Sequence, residues 1–193
     1  LSNAMSQILY LLDTQLIGVF TKNEEILASY KVATTIPFNI TFIPLSLLVF
    51  AYPYFAQNKE NKEWIKEKLS LLIKGLAIVN LLISLGGIIL AKPIFYILFP
   101  KYIDSVNCFR VLMVGYFISG TFRIPYGNIL ASLGDAKANL INAVFSGIAN
   151  IILDIVFIKQ YGSIGADYAT LLVFIISSII HHIFIKRYIN RIE

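Results

Sequence analysis

Leu69–Ala91 reads LSLLIKGLAIVNLLISLGGIILA, 23 residues with a single charge, Lys74. That length and polarity match the ~20 residues an α-helix needs to cross ~30 Å of hydrocarbon. The run does not alternate with period two, as a strand of a membrane barrel must. Similar runs precede and follow it. Together they give six spans, at Leu1–Phe20, Tyr30–Ala56, Leu69–Ala91, Phe109–Ser132, Asn139–Ile158 and Gly165–Ile185. In lipid every backbone polar group must be paired inside the protein. The expected fold is therefore all-α, a polytopic membrane helix bundle of six transmembrane helices.

Composition leads to the same solvent. Of 193 residues, 58% are hydrophobic and 14% charged, against roughly 45–50% and about 25% in an ordinary soluble chain. A globule of this size could not bury so much apolar side chain. Collagen-like, disordered, disulfide-rich and nucleic-acid-binding classes are excluded. The lone cysteine, Cys108, has no partner for an intrachain disulfide. The opening apolar run from Leu1 has no basic segment before it and no small-residue cleavage site after it, so it is not expected to be a signal peptide. Ser2–Ala4 before Met5 resembles a cloning scar, yet Met5–Phe20 alone is only 16 residues, short of a span. The expectation is a native helix cut from a longer protein.

The net charge of +5 is unevenly distributed. One set of connections carries Lys59, Lys62, Lys66, Lys68, Lys137, Lys186, Arg187 and Arg191; the other carries Lys22, Lys92, Lys101 and Lys159. The positive-inside rule puts the richer side in the cytoplasm, and with it both chain ends. Lys59–Lys68 reads as an amphipathic cytoplasmic helix running into the third span, with Ile65, Leu69 and Leu72 on one face and Trp64 beside it. Its lysines can sit among lipid headgroups. Pro93–Tyr102 (PIFYILFPKY) is expected to lie along the outer interface, because its rings favour that depth. Lys31, Lys74 and Arg110 lie near span ends, from which long cations snorkel.

Polar and small residues recur at helical spacing inside the spans. The second has Thr35, Asn39 and Ser46; the third Ala77, Asn80, Ser84 and Gly87; the fourth Tyr116, Ser119, Gly120, Arg123, Tyr126 and Gly127. The fifth has Ala143, Gly147, Asn150 and Asp154, and the sixth Asp167, Thr170, Ser177 and His181. Each set shares a helix face. Helix packing explains a single such stripe, whereas stripes on most spans suit a hydrated central pathway. Charges at helix centres cost on the order of 2.5–3.5 kcal/mol, so Arg123, Asp13 and Asp154 are the candidates with the most to explain. Arg123 lies 14 residues into its span; it reads either as a pathway residue or as half of an ion pair. Asp13 and Asp154 read either as pathway lining or as partners of Lys31 or Arg110. Asn39 and Asn150 complete the candidate substrate pathway. Pro37 and Pro44 share a face of span two and predict a bend.

No phosphate-binding loop, serine nucleophile elbow or HExxH motif is present, and His181 and His182 point about 100° apart on a helix, a poor metal pair. No enzyme, cofactor or resident metal is expected.

Several stretches resemble a known superfamily of exporters. Tyr30–Phe55 (YKVATTIPFNITFIPLSLLVFAYPYF) is similar to the second helix of a half in the multidrug/oligosaccharidyl-lipid/polysaccharide exporter superfamily. Tyr96–Tyr102 (YILFPKY) resembles its loop after the third helix, and Asn128–Lys137 (NILASLGDAK) its turn between the fourth and fifth. Gly147–Asn150 (GIAN) and Tyr161–Thr170 (YGSIGADYAT) resemble the fifth helix and the entry to the sixth. In combination they are most similar to polysaccharide-repeat flippases of bacterial surface-glycan synthesis, such as those for O-antigen, in their C-terminal half.

The resemblance implies a partner bundle, the missing N-terminal half, and alternating access across a bacterial inner membrane. It also implies a substrate of undecaprenyl-diphosphate carrying one glycan repeat, moved from inner to outer leaflet. Membrane lipids and a coupling cation are further expected partners. A cation-coupled multidrug antiporter and a lipid II flippase of the same superfamily stay open, as does a non-transporting membrane scaffold.

Overall fold

The computed structural model describes residues 2–192, with side chains from Leu11 onward. The expectations for Leu1, for the side chains of Ser2–Ala4 and for Glu193 as a cytoplasmic end fall outside these residues.

Helices account for nearly all of the described chain, and no strand occurs among the described residues. The protein is an all-α membrane helix bundle. Span one is α1 (Ser2–Thr21), and span two is divided into α2 (Glu24–Asn39) and α3 (Phe42–Gln57). Span three is α4 (Lys62–Leu98), followed by a 3-10 turn at Pro100–Ser105. Span four is α5 (Val106–Ile118), a π-helical segment (Ser119–Arg123) and α6 (Ile124–Ser132). Spans five and six are α7 (Ala136–Tyr161) and α8 (Ser163–Arg191). By length and composition, Glu24–Gln57, α4, α7 and α8 are each able to cross a membrane, while Leu11–Thr21 is a shorter apolar helix.

Local chemistry sets the boundaries. Asn23 caps α2, its Oδ1 accepting from the amides of Glu25 (2.9 Å) and Ile26 (3.3 Å). Asn61 caps α4 through the amide of Trp64 (3.1 Å), and Asp135 caps α7 through that of Ala138 (3.2 Å). The helix of span two is interrupted between its two prolines, at Ile40 and Thr41. Pro37 has no N–H to offer Ala33, and Pro44 needs none in the first turn of α3. In the gap the backbone tightens to three-residue bonds, Thr41 N–H to Phe38 O (3.4 Å) and Ile43 N–H to Ile40 O (3.1 Å).

The Lys59–Lys68 segment runs into the third span as expected: from Lys62 it is the first part of α4. Pro93, by contrast, does not end the span. The helix runs through it to Leu98, so only Phe99–Tyr102 of the aromatic stretch leaves α4. One proline costs one backbone bond in a helix of 37 residues, and neighbouring turns hold it. At 1.5 Å per residue α4 is about 55 Å long, well beyond the hydrocarbon thickness.

The α7–α8 hairpin closes on glycine. Gly162 has φ +68° and ψ −145°, a conformation open essentially to glycine alone. Gly165 packs directly on the end of α7: a Cβ there would collide with the carbonyl oxygen of Phe157.

Apolar clusters hold the two ends of the bundle. One joins Leu48, Ile65, Ile129 and Ile185; the other joins Phe95, Phe109, Leu112 and Met113. The outer surface is apolar too, with Val49, Phe50, Ile89 and Leu82 exposed. Many polar side chains of the spans are inside, among them Asn80, Ser84, Thr121 and Ser146, an inversion of the soluble pattern that suits a lipid solvent.

Candidate functional site

The central feature is a group of acids closed inside the bundle where α1, α2, α7 and α8 meet. Asp13, Asp154 and Asp167 each have 0% exposure. Asn150 and Asp154 lie one turn apart on α7, and Asp167 and Thr170 nearly one turn apart on α8, so each helix presents two oxygen-bearing groups on one face. Asp13 is held by three donors. Asn150 Nδ2 donates to its Oδ1 (2.9 Å), while the Tyr30 hydroxyl and the Thr170 hydroxyl both donate to its Oδ2 (2.7 Å each).

The other two acids are different. Neither oxygen of Asp154 or of Asp167 accepts from an N–H or hydroxyl among the described residues, and Asn150 Oδ1 is unpartnered as well; Asp167 lies against the Cys108 thiol and Asp154 against the Asp13 carboxyl. Both carboxyls are near enough to Asp13 to interact with it electrostatically. Two ion pairs occur among the described residues, Lys66–Glu63 and Lys68–Glu67, and neither touches this group. Buried carboxylates without donors or counter-charge are costly. The arrangement therefore calls for positive charge from outside the chain.

The donor set narrows what that charge is. Among the described residues no group of three or more His, Cys, Asp or Glu able to hold a metal ion occurs. Buried carboxyls that face one another are neutralised most simply by a proton.

Arg123 belongs to a second network. It ends the π segment, is 2% exposed, and donates through Nε to Ser177 Oγ (3.1 Å). Its guanidinium lies over the Phe174 ring, 5.0 Å from the centroid. His181 Nδ1 donates to the Arg123 carbonyl (3.1 Å), and Asn142 Nδ2 donates to Ser177 Oγ (2.7 Å). Ser177 is seven residues beyond Thr170 on α8, about 10 Å along the axis. The π segment is held from α4, where Asn80 receives the Tyr116 hydroxyl (2.7 Å) and gives a bond to Thr121 Oγ1 (3.3 Å).

Of the five residues picked from the sequence, Asp13, Asn150 and Asp154 converge, and Arg123 and Asn39 lie elsewhere. Asn39 is exposed, its amide donating to Thr35 O one turn back (2.6 Å). Arg110 donates to the Ile88 carbonyl (3.3 Å), and no ion pair joins it or Lys31 to Asp13 or Asp154 among the described residues. Three members of the acid group were not singled out as site residues. Asp167 and Thr170 were visible as a stripe on span six, but nothing in the spacing says which helix faces that stripe. Tyr30, at the start of an apolar run, gave no signal.

No protein-family model and no curated protein matches the chain. Solved structures do. A MOP superfamily transporter from Pyrococcus furiosus Vc1, described as having a binding pocket of reverse polarity, matches with TM-score 0.78 and 24% identity over 96% of this chain and 42% of that one. A multidrug resistance MATE family transporter of the MOP superfamily, in an outward-facing conformation, matches with TM-score 0.79 and 24% identity over 96% and 43%. The lipid II flippase MurJ, inward closed, matches with TM-score 0.77 and 18% identity over 97% and 42%. The chain thus spans less than half the length of these structures. It has the helical fold found in MOP superfamily transporters, and at these identities the likeness is one of fold.

Proposed function

We propose that this chain is one half of a cation-coupled, alternating-access transporter, and that its acid group is where the coupling cation is held. The carrying observation is the unpartnered oxygens of Asp154 and Asn150, sealed beside a fully bonded Asp13. A proton or monovalent cation there neutralises buried charge and ties α1 to the α7–α8 hairpin. Its departure leaves like charges facing one another, which biases the bundle toward another packing. Facing a second bundle across a central pathway is the arrangement that related repeats give in transporters.

For the cargo, the resemblance of Tyr30–Phe55, Asn128–Lys137 and Tyr161–Thr170 supports an undecaprenyl-diphosphate-linked glycan repeat. The direction is from inner to outer leaflet of a bacterial inner membrane, with both ends cytoplasmic. A second reading, cation-coupled multidrug antiport, is favoured by the acidic character of the group. The test is Asp13→Asn and Asp154→Asn in the full-length protein. Surface glycan and drug tolerance are scored together, with membrane abundance as the control. At normal abundance, loss of surface glycan with unchanged drug tolerance supports the flippase. Loss of drug tolerance with normal glycan selects the antiporter. Normal glycan and normal tolerance remove the acid group from transport.

A further inference from the structure

The end of the bundle that carries Lys59–Lys68 contains a groove between α4 and α8, of about 630 Å³. Its walls are two polar stripes of period four: Lys66, Ser70 and Lys74 on α4, and His182, Lys186 and Asn190 on α8. Residues four apart share a helix face, so each wall is one continuous row. The helices run in opposite directions, and Lys62 Nζ donates to the carbonyl of Ile192 (2.7 Å), joining the start of α4 to the residue after α8. Both rows line the same groove. Leu69 and Ile189 from one turn, and Ile73 and Ile185 from the next, supply an apolar floor.

The charges in this groove are not matched. Lys66 is paired with Glu63 (3.0 Å). Lys74 and Lys186 have neither a hydrogen bond nor an ion pair among the described residues, and no acid lines the groove. Lys74 sits about 12 Å further along α4 than Lys66, five residues inside the third span expected to begin at Leu69. Water-exposed lysines need no anion. A lysine at that depth beside an apolar floor is served by a ligand that is anionic at one end and apolar at the other.

We propose that this groove is a binding site for an anionic phospholipid, its headgroup phosphate held by Lys74 and Lys186 and its acyl chains lying on Leu69, Ile73 and Ile185. Basic clefts between transmembrane helices bind acidic headgroups on this principle, and each lysine near a surface contributes roughly fivefold in affinity. The site is separate from the acid group, and the proposal holds whatever the cargo is.

The experiment uses the full-length protein, purified in mild detergent and loaded from vesicles of phosphatidylglycerol in phosphatidylcholine. Native mass spectrometry then counts the retained lipid. The unaltered protein is expected to retain phosphatidylglycerol over phosphatidylcholine. Lys74→Gln with Lys186→Gln should lower that preference by about twenty-five-fold, whereas Lys101→Gln at the other end should leave it alone. Ser70→Trp keeps both charges and fills the groove. It should also expel the lipid, and it serves if the double lysine variant does not fold. Retention unchanged in Ser70→Trp, or in a folded double variant, overturns the proposal. So does release of the lipid by millimolar inorganic phosphate, which would make this a site for free anions.

Discussion

Asp13 and Arg123 were both conspicuous as charges in apolar helices, yet the structure uses them differently. Asp13 is bonded by donors from three helices and faces two acids that accept from no N–H or hydroxyl among the described residues. Arg123 is fixed by Ser177, lies on Phe174, and uses its carbonyl to orient His181. Those contacts make Arg123 a support for the join between the π segment and α8. Arg123→Ala is therefore expected to lower membrane abundance, because it opens a cavity worth roughly 2–5 kcal/mol in a buried position. On the flippase reading proposed above, surface glycan should fall in proportion. Abundance and glycan measured in the same cells decide the matter, since normal abundance with lost export would restore Arg123 to the pathway.

At the scale of elements, breaks in the helices matter as much as the helices. The prolines of span two predict a bend, and the turn that divides α2 from α3 falls between Pro37 and Pro44. The π segment was not foretold. Serine, glycine, threonine, phenylalanine and arginine at 119–123 fit an α-helix as well, and the extra residue per turn is stabilised by Asn80 from another helix. The hairpin of α7 and α8 gives a direct test of close packing. Gly165→Ala sets a Cβ against the Phe157 backbone and should destabilise by about 1–3 kcal/mol. Gly86, also within a helix, has nothing within 4 Å of a Cβ, so Gly86→Ala should be neutral or stabilising by up to about 1 kcal/mol. Thermal unfolding of the two variants in detergent measures the difference. Equal melting temperatures would mean that the α7–α8 contact is looser than this.

For the whole molecule, the lysine distribution makes a prediction about orientation. Glu60 and Arg187 lie at the lysine-rich end, and Lys101 and Tyr161 at the other; all four are exposed. In a Cys108→Ala background, cysteines at 101 and 161 should react with an impermeant thiol reagent in intact cells, and those at 60 and 187 only after lysis. The reverse pattern would invert the topology. Gly162 is a poor probe position because its φ of +68° would strain any cysteine placed there.

The sequence by itself determined the solvent, the helical class and the approximate position of each span, because length and hydropathy are properties of contiguous residues. It also exposed the individual charges and prolines that apolar helices do not normally carry. Contiguity says nothing of which helix lies beside which. Only the tertiary structure brought α1 against α7 and α8, gathering Asp13, Asn150, Asp154, Asp167 and Thr170 while setting Arg123 apart and leaving Asn39 on the surface. The facing rows of α4 and α8 are a similar case: each is a plain period-four pattern, and only their juxtaposition makes a groove. Side-chain periodicity specifies a face, and the packing of helices from distant parts of the chain decides what that face meets.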